Sequence, residues 1–154
     1  QTDPISGINW QSELLQISRS GHELAFAVSV TYDILNDTVK YVKHNLPDVG
    51  RVLHLRQPTP GVNSIRDGSH AFCLAQNLIS TIRSKRKEAE SGLNLHFFWA
   101  APNAFMFVFG QIARNLGPCI LYEHDFESGR QGAYQQSLRL PFISSAPDLK
   151  NKEV

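Results

Sequence analysis

Cysteine is scarce in this sequence. Among 154 residues there are two, Cys73 and Cys119, far apart and without a CxxC pair or a histidine at ligand spacing. That suits two buried thiols in a reducing compartment better than a zinc or disulfide framework. Excess charge is missing too: the formal net charge is +1, so no global electrostatic grip on nucleic acid exists and an anionic partner must be held by a local site. No apolar run reaches the about 20 residues that a bilayer span needs. The greasiest stretch, FFWAAPNAFMFVFGQ at 97–111, is broken by Pro102 and Asn103. The opening QTDPISGINW has neither a basic n-region nor a long apolar run, so no signal peptide is visible and a cytoplasmic protein is expected. A first residue of Gln reads as a processed chain or a piece of a longer protein.

Nucleotide-fold motifs are also lacking. TYDILND stands where a GxGxxG would follow the first apolar strand, and no GxxxxGK[ST] occurs, which argues against a dinucleotide cofactor and a P-loop. Neither an HExxH nor a G-x-S-x-G elbow is found. No cofactor and no metal site are expected.

What is present reads as alternating strands and helices. GHELAFAVSVT (21–31) is almost continuously apolar, as in a strand covered on both faces. TVKYVKHNL (38–46) has helical spacing, with Asn36 or Asp37 as its cap and Pro47 beyond it. RVLHLRQ (51–57) is a short strand closed by PTPG. A long helix starts at Asp67-Gly68-Ser69, with Ala71, Ala75, Leu78 and Ile82 on one stripe. LNLHFFWAA (93–101) and CILYEHDF (119–126) are further strands, joined by a helix over 104–117. The order β-α-β-α-β-α-β predicts an α/β chain, a Rossmann-like three-layer sandwich with a mostly parallel central sheet. Residues 1–20 read as a lead-in, 21–143 as the folded unit and 144–154 as a polar tail.

Ligands of open parallel sheets collect at the carboxyl ends of the strands. Those ends offer the hydroxyls of Ser29, Thr31, Tyr32 and Tyr122, the Arg56 guanidinium, the Gln57 and Asn103 amides, and the Asp33 and Glu123 carboxylates. Such a mixture suits an uncharged base plus a few phosphate oxygens. Pro102-Asn103 marks a helix entry, where Asn103 either caps the backbone or faces a ligand. His54 and His96 fall within strands and read as satisfied, partly buried imidazoles. His22 and His44 read as surface positions, His70 begins a helix, and His124, between Glu123 and Asp125, has no ligand-spaced partner. The run RSKRKE (83–88) reads as a solvated helix end, since no aromatic residues interleave it.

Three segments carry a family likeness: LAFAVSVTYDILNDTVKYVKHNLP, GSHAFCLAQNLISTIRSKR and LHFFWAAPNAFMFVFGQIARNLGPCILYEHDF. Together they resemble the SAVED domain, a CARF-like sensor of CBASS and type III CRISPR anti-phage effectors. The strand-turn-helix with APNAF, followed by LGP and a Tyr-Glu pair, is the most specific part, and the likeness runs over about residues 21 to 126. It implies two fused CARF-like units with a cyclic oligonucleotide, such as a cyclic tri-adenylate or a cyclic dinucleotide, bound between them. It also implies ligand-dependent homo-oligomerisation that switches on an effector domain, with no membrane partner. At this length the chain resembles the C-terminal unit alone, with the N-terminal half and the effector supplied in cis or in trans.

Carried over, the pocket edge is Thr31, Tyr32 and Asp33, then Arg56 and Gln57, then Pro102, Asn103 and Phe105, then Tyr122 and Glu123. The expected function is a regulatory, non-catalytic sensor, with Arg56 on a phosphate and Tyr32, Phe105 or Tyr122 stacking a base. The competing readings are a messenger-degrading phosphodiesterase and a purely structural oligomerisation module.

Overall fold

The computed structural model describes residues 10–141, apart from Asn115, Phe126 and Gln131. The polar tail expected at 144–154 and residues 1–9 of the lead-in lie outside the described residues.

Six strands form one sheet in the order β1-β3-β2-β4-β5-β6. The inner four are β2 (Glu23–Ser29), β3 (Val49–Arg56), β4 (Leu95–Ala100) and β5 (Cys119–His124), all parallel. Their apolar runs are what burial on both faces demands. Two antiparallel strands flank them: β1 (Gln11–Gln16) beside β3, and β6 (Tyr134–Leu140) beside β5. The expectation of a mostly parallel sheet is thereby refined to a parallel centre with antiparallel edges. β1 lies inside the segment read as lead-in, and β6 falls in the folded unit read over 21–143.

α1 (Leu35–Asn45) packs on one face of the sheet; α2 (Gly68–Lys85) and α3 (Asn103–Ile112) pack on the other. Strand alternation sorts the side chains between the two layers. Leu24, Phe26, Val28, Leu53, Leu55, Leu95 and Phe97 face α2 and α3, where Phe26 and Phe97 stack at 4.6 Å. Ala25, Ala27, Val52, Phe98, Ile120 and Tyr122 face α1, and Tyr41 of that helix sets its edge against Phe98, Tyr122 and Tyr134. Gly21 and Gly50 let the chain cross itself at the foot of the sheet, where a Cβ on either would run into the other segment's backbone.

Two helix ends differ from expectation. α1 begins before Asn36, with Ile34 as its N-cap, and its first amide, Leu35 N–H, is met by Asp33 of the preceding loop rather than by Asn36 or Asp37. α3 stops at Ile112, with Ala113 N–H on the Phe109 carbonyl as its last bond, well before Gly117 (φ 92°). α2 starts as expected, its Asp67 carboxylate accepting the His70 N–H at 2.8 Å.

Candidate functional site at the carboxyl ends of the strands

β2 is the first of the parallel strands in the chain, and its neighbours are β3 on one side and β4 on the other. The winding direction therefore reverses between β2 and β4, and at such a switch point the loops leave in opposite directions and open a crevice. Val30 and Thr31 both donate their N–H to the Ala100 carbonyl at 2.8 Å, stitching the two strand ends together just below that crevice. The loop after β3 folds back over it: Gly61 N–H and Ser64 Oγ both bond to the Val30 carbonyl, at 3.1 and 3.2 Å. Tyr32 stands clear of this cover at 56% exposure. Thr31 is half-buried beside it.

On the α1 side the site is built from polar groups. Ser29 Oγ lies 3.0 Å from His54 Nε2 and accepts the Ile34 N–H at 3.1 Å. Asp33 Oδ1 accepts the Leu35 N–H at 2.9 Å and approaches the same His54 nitrogen at 3.5 Å. A polar cleft of about 270 Å³ opens over this cluster, lined by Gln11, Glu13, Asp33, His54 and Arg56, with Leu35 at its edge. Arg56 is exposed, and its Nε donates to Gln11 Oε1 at 2.9 Å. Serine, histidine and aspartate in contact suggest a hydrolytic relay, but the geometry is wrong for one. A relay places the nucleophile and the carboxylate on opposite ring nitrogens, whereas here both meet Nε2. Ser29 is also fully buried.

Burial pushes the His54 imidazole below its ordinary value; the Asp33 carboxylate opposes this, Arg56 adds to it and Glu13 opposes it. A lowered histidine stabilises the fold above the unfolded-state value of about 6.5 and loses that contribution as pH falls through the folded value. Urea midpoints measured from about pH 8 to about pH 5 are therefore expected to drop on the acid side. His54→Gln is expected to flatten that part of the profile.

The ten residues assigned to the pocket edge separate into two groups. Thr31, Tyr32 and Asp33 lie on the crevice loop, Arg56 shares the polar cleft with Asp33, and Pro102 and Asn103 follow one residue after β4 ends at Ala100. Asn103 is exposed in the first turn of α3; Pro102 is the N-cap, and no side chain caps that helix. Glu123 is exposed at the end of β5, within 3.5 Å of Gln135 on β6, and no described contact joins it to the crevice.

Gln57, Phe105 and Tyr122 point inward instead. Phe105 has no exposed surface and packs against Trp10 and Trp99, so it cannot stack a ligand base as expected. Tyr122 is 5% exposed, stacks on Phe98 and bonds through its hydroxyl to His96 Nδ1 at 2.9 Å. Burial pushes its phenol up to about 12. Gln57 is equally enclosed, and its Nε2 finds no hydrogen-bond partner among the described residues.

His54 and His96 are buried with partners, as read from the sequence; His96 Nε2 meets Glu23 Oε1 at 2.9 Å. Sequence reasoning missed Gln11 and Glu13, which reach the cleft only because β1 pairs with β3 and sets Glu13 opposite His54.

A larger groove of about 530 Å³ lies on the α3 side, lined by Phe97, Trp99, Phe109, Leu121 and Leu140. Size does not decide between the two. Arg114 is the only charged residue among the described residues that line it, whereas the smaller cleft gathers donors and acceptors at the strand ends where ligands of open α/β sheets bind. Among the described residues no group of three or more His, Cys, Asp or Glu side chains could hold a metal ion. No helix among them is long and apolar enough to cross a membrane.

Comparison with known proteins agrees with this architecture. In fold the chain is similar to the Acinetobacter baumannii Cap4 SAVED/CARF-domain containing receptor with the cyclic trinucleotide 3'3'3'-cAAA, at a TM-score of 0.63 and 18% identity, covering 84% of this chain and 27% of that one. The same receptor with 2'3'3'-cAAA gives 0.60 and 18%, over 83% and 26%. In sequence it is 34% identical over 122 residues to CD-NTase-associated protein 4 of Enterobacter hormaechei subsp. hoffmannii (strain UCI 50), covering 79% of this chain. It spans about a quarter (24%) of that relative's length. The family model of the SMODS-associated and fused to various effectors sensor domain matches residues 3–140, and the chain belongs to this SAVED family.

Proposed function

We propose that this chain is one unit of a cyclic-oligonucleotide sensor, and that its strand-end crevice forms one wall of the ligand pocket. The observation that carries the reading is the switch-point crevice, with an exposed Tyr32 beside a polar cleft, in a chain of a sensor family. The two Acinetobacter baumannii receptor structures hold cyclic trinucleotides, which supports a ligand of that class here. Tyr32 stacks a base, Arg56 takes a phosphate through its free guanidinium nitrogens, and Thr31, Asp33 and Asn103 meet base or ribose edges. The second wall comes from another unit of the longer receptor. Ligand bound between the units favours one packing over another and so drives assembly and effector activation in anti-phage defence.

Isothermal titration of the full receptor with cyclic di-, tri- and tetranucleotides tests this. Saturable binding of at least one of them is expected, and none binding would refute the reading. Replacing Tyr32 by Ala is expected to weaken the best ligand by about 1–3 kcal/mol, the worth of one stacked base, with the fold's stability unchanged. A phosphodiesterase would return cleaved ligand after long incubation; intact ligand is expected.

A further inference from the structure

We propose that His54 is the positioning residue of this site: through one ring nitrogen it fixes the loop 30–34 that presents Thr31, Tyr32 and Asp33. The amides of Ile34, the N-cap of α1, and of Leu35, its first residue, are held by side chains that precede the helix. Ile34 N–H goes to Ser29 Oγ and Leu35 N–H to Asp33 Oδ1, and these two oxygens converge on His54 Nε2 at 3.0 and 3.5 Å. Removing the ring takes the shared anchor from both at once. It also empties volume at a buried position on β3, where the side chain is 4% exposed. Ser29 is anchored by strand β2, but Asp33 has no second side-chain partner among the described residues and is half-exposed. The loop is therefore held on one side by the Ala100 carbonyl and on the other by this imidazole.

The same arrangement makes the loop proton-sensitive. The charged groups facing His54 are Asp33 from the loop, Glu13 from β1 and Arg56 from its own strand. Ser29 of β2 and Leu35 of α1 bring no charge to it. Charging the ring turns the 3.5 Å approach of Asp33 into an ion pair and draws that carboxylate away from the Leu35 amide. The Leu35 amide then loses its acceptor, while Asp33 is drawn toward the imidazole and the remainder of the sheet is untouched.

Residue-resolved amide exchange on the full chain is the test, with wild type, His54→Ala and His54→Gln compared. His54→Ala is expected to raise exchange at Ile34 and Leu35 by about tenfold or more, with α2 amides unchanged. His54→Gln, whose Nε2 reaches a place close to that of the imidazole Nε2, is expected to restore most of the protection. As pH falls from about 7.5 through the folded-state titration of His54, followed by its ring resonances, wild-type exchange at Leu35, corrected for the intrinsic rate, is expected to rise, whereas that of His54→Gln stays flat. Exchange at Ile34 and Leu35 in His54→Ala that matches wild type would overturn the proposal, and so would a flat wild-type pH profile.

The ligand arm rests on the sensor reading above and uses 3'3'3'-cAAA as the probe. Its affinity is expected to fall about tenfold in His54→Ala and to recover in His54→Gln. If no cyclic oligonucleotide binds the wild-type receptor, the sensor reading fails, and the exchange data still judge the role of His54.

Discussion

Glu90→Ala is expected to destabilise the fold by about 3–5 kcal/mol, the cost of leaving a buried charge without its partner. Arg51 of β3 and Glu90 in the short 3-10 turn after α2 are both enclosed, and the Arg51 guanidinium makes two bonds to the Glu90 carboxylate, one of them from Nε at 2.8 Å. Each group also makes a bond to the backbone. Arg51 Nη2 also donates to the Lys85 carbonyl at the end of α2, and Glu90 Oε1 accepts the Lys87 N–H. Arg86 completes the clamp by donating to the Leu116 carbonyl. Of the basic run at 83–88, Arg86 serves this clamp with its side chain, while Arg83, Lys85 and Lys87 are exposed. Urea unfolding of Glu90→Ala against Arg51→Met/Glu90→Leu separates pairing from burial. The double change is expected to recover much of the loss, because an apolar pair removes the stranded charge.

How much of this was legible in the sequence follows from how each element is held. β2, β3 and β4 announce themselves because both their faces are covered, and unbroken runs such as LAFAV at 24–28 have no other economical reading. β1 does not, since an edge strand with mostly exposed side chains needs no apolar pattern; its conformation is imposed by pairing with β3. The candidate site divides in the same way. Its level in the fold is readable, because strand ends can be located from the turn residues that follow them. Its direction is harder, because alternation decides which strand-end side chains look outward. Tyr122 follows Ile120 onto the α1 face, and Phe105 lies two residues into α3 on the stripe that faces Trp99. Both are aromatic residues next to a site, and both belong to the core. His54 is the converse: a histidine inside an apolar strand reads as core, and only the convergence of Ser29 and Asp33 on it shows that it also supports the crevice.

Phe97→Ala is the second change expected to cost about 3–5 kcal/mol, by the loss of buried area and the cavity left behind. Phe97 has no exposed surface and sits at the middle of β4, stacked on Phe26 at 4.6 Å and on Trp99 at 5.4 Å, with Phe109 of α3 tilted against it at 5.9 Å. It therefore ties the central pair of strands to α3, the helix that begins at Pro102-Asn103, so its loss should loosen the β4–α3 turn as well as the core. Phe97 also lines the apolar groove, which gives water a way into the vacated space. The expected signature is a lowered urea midpoint together with faster amide exchange in the first turn of α3. Phe97→Leu keeps most of the volume and is expected to cost distinctly less than the Ala change. Phe107→Ala on the same helix, at 70% exposure, is the control and should stay within about 0.5 kcal/mol of wild type. An equal loss at both positions would mean that α3 is held by contacts on its outer face and not by the aromatic stack beneath it.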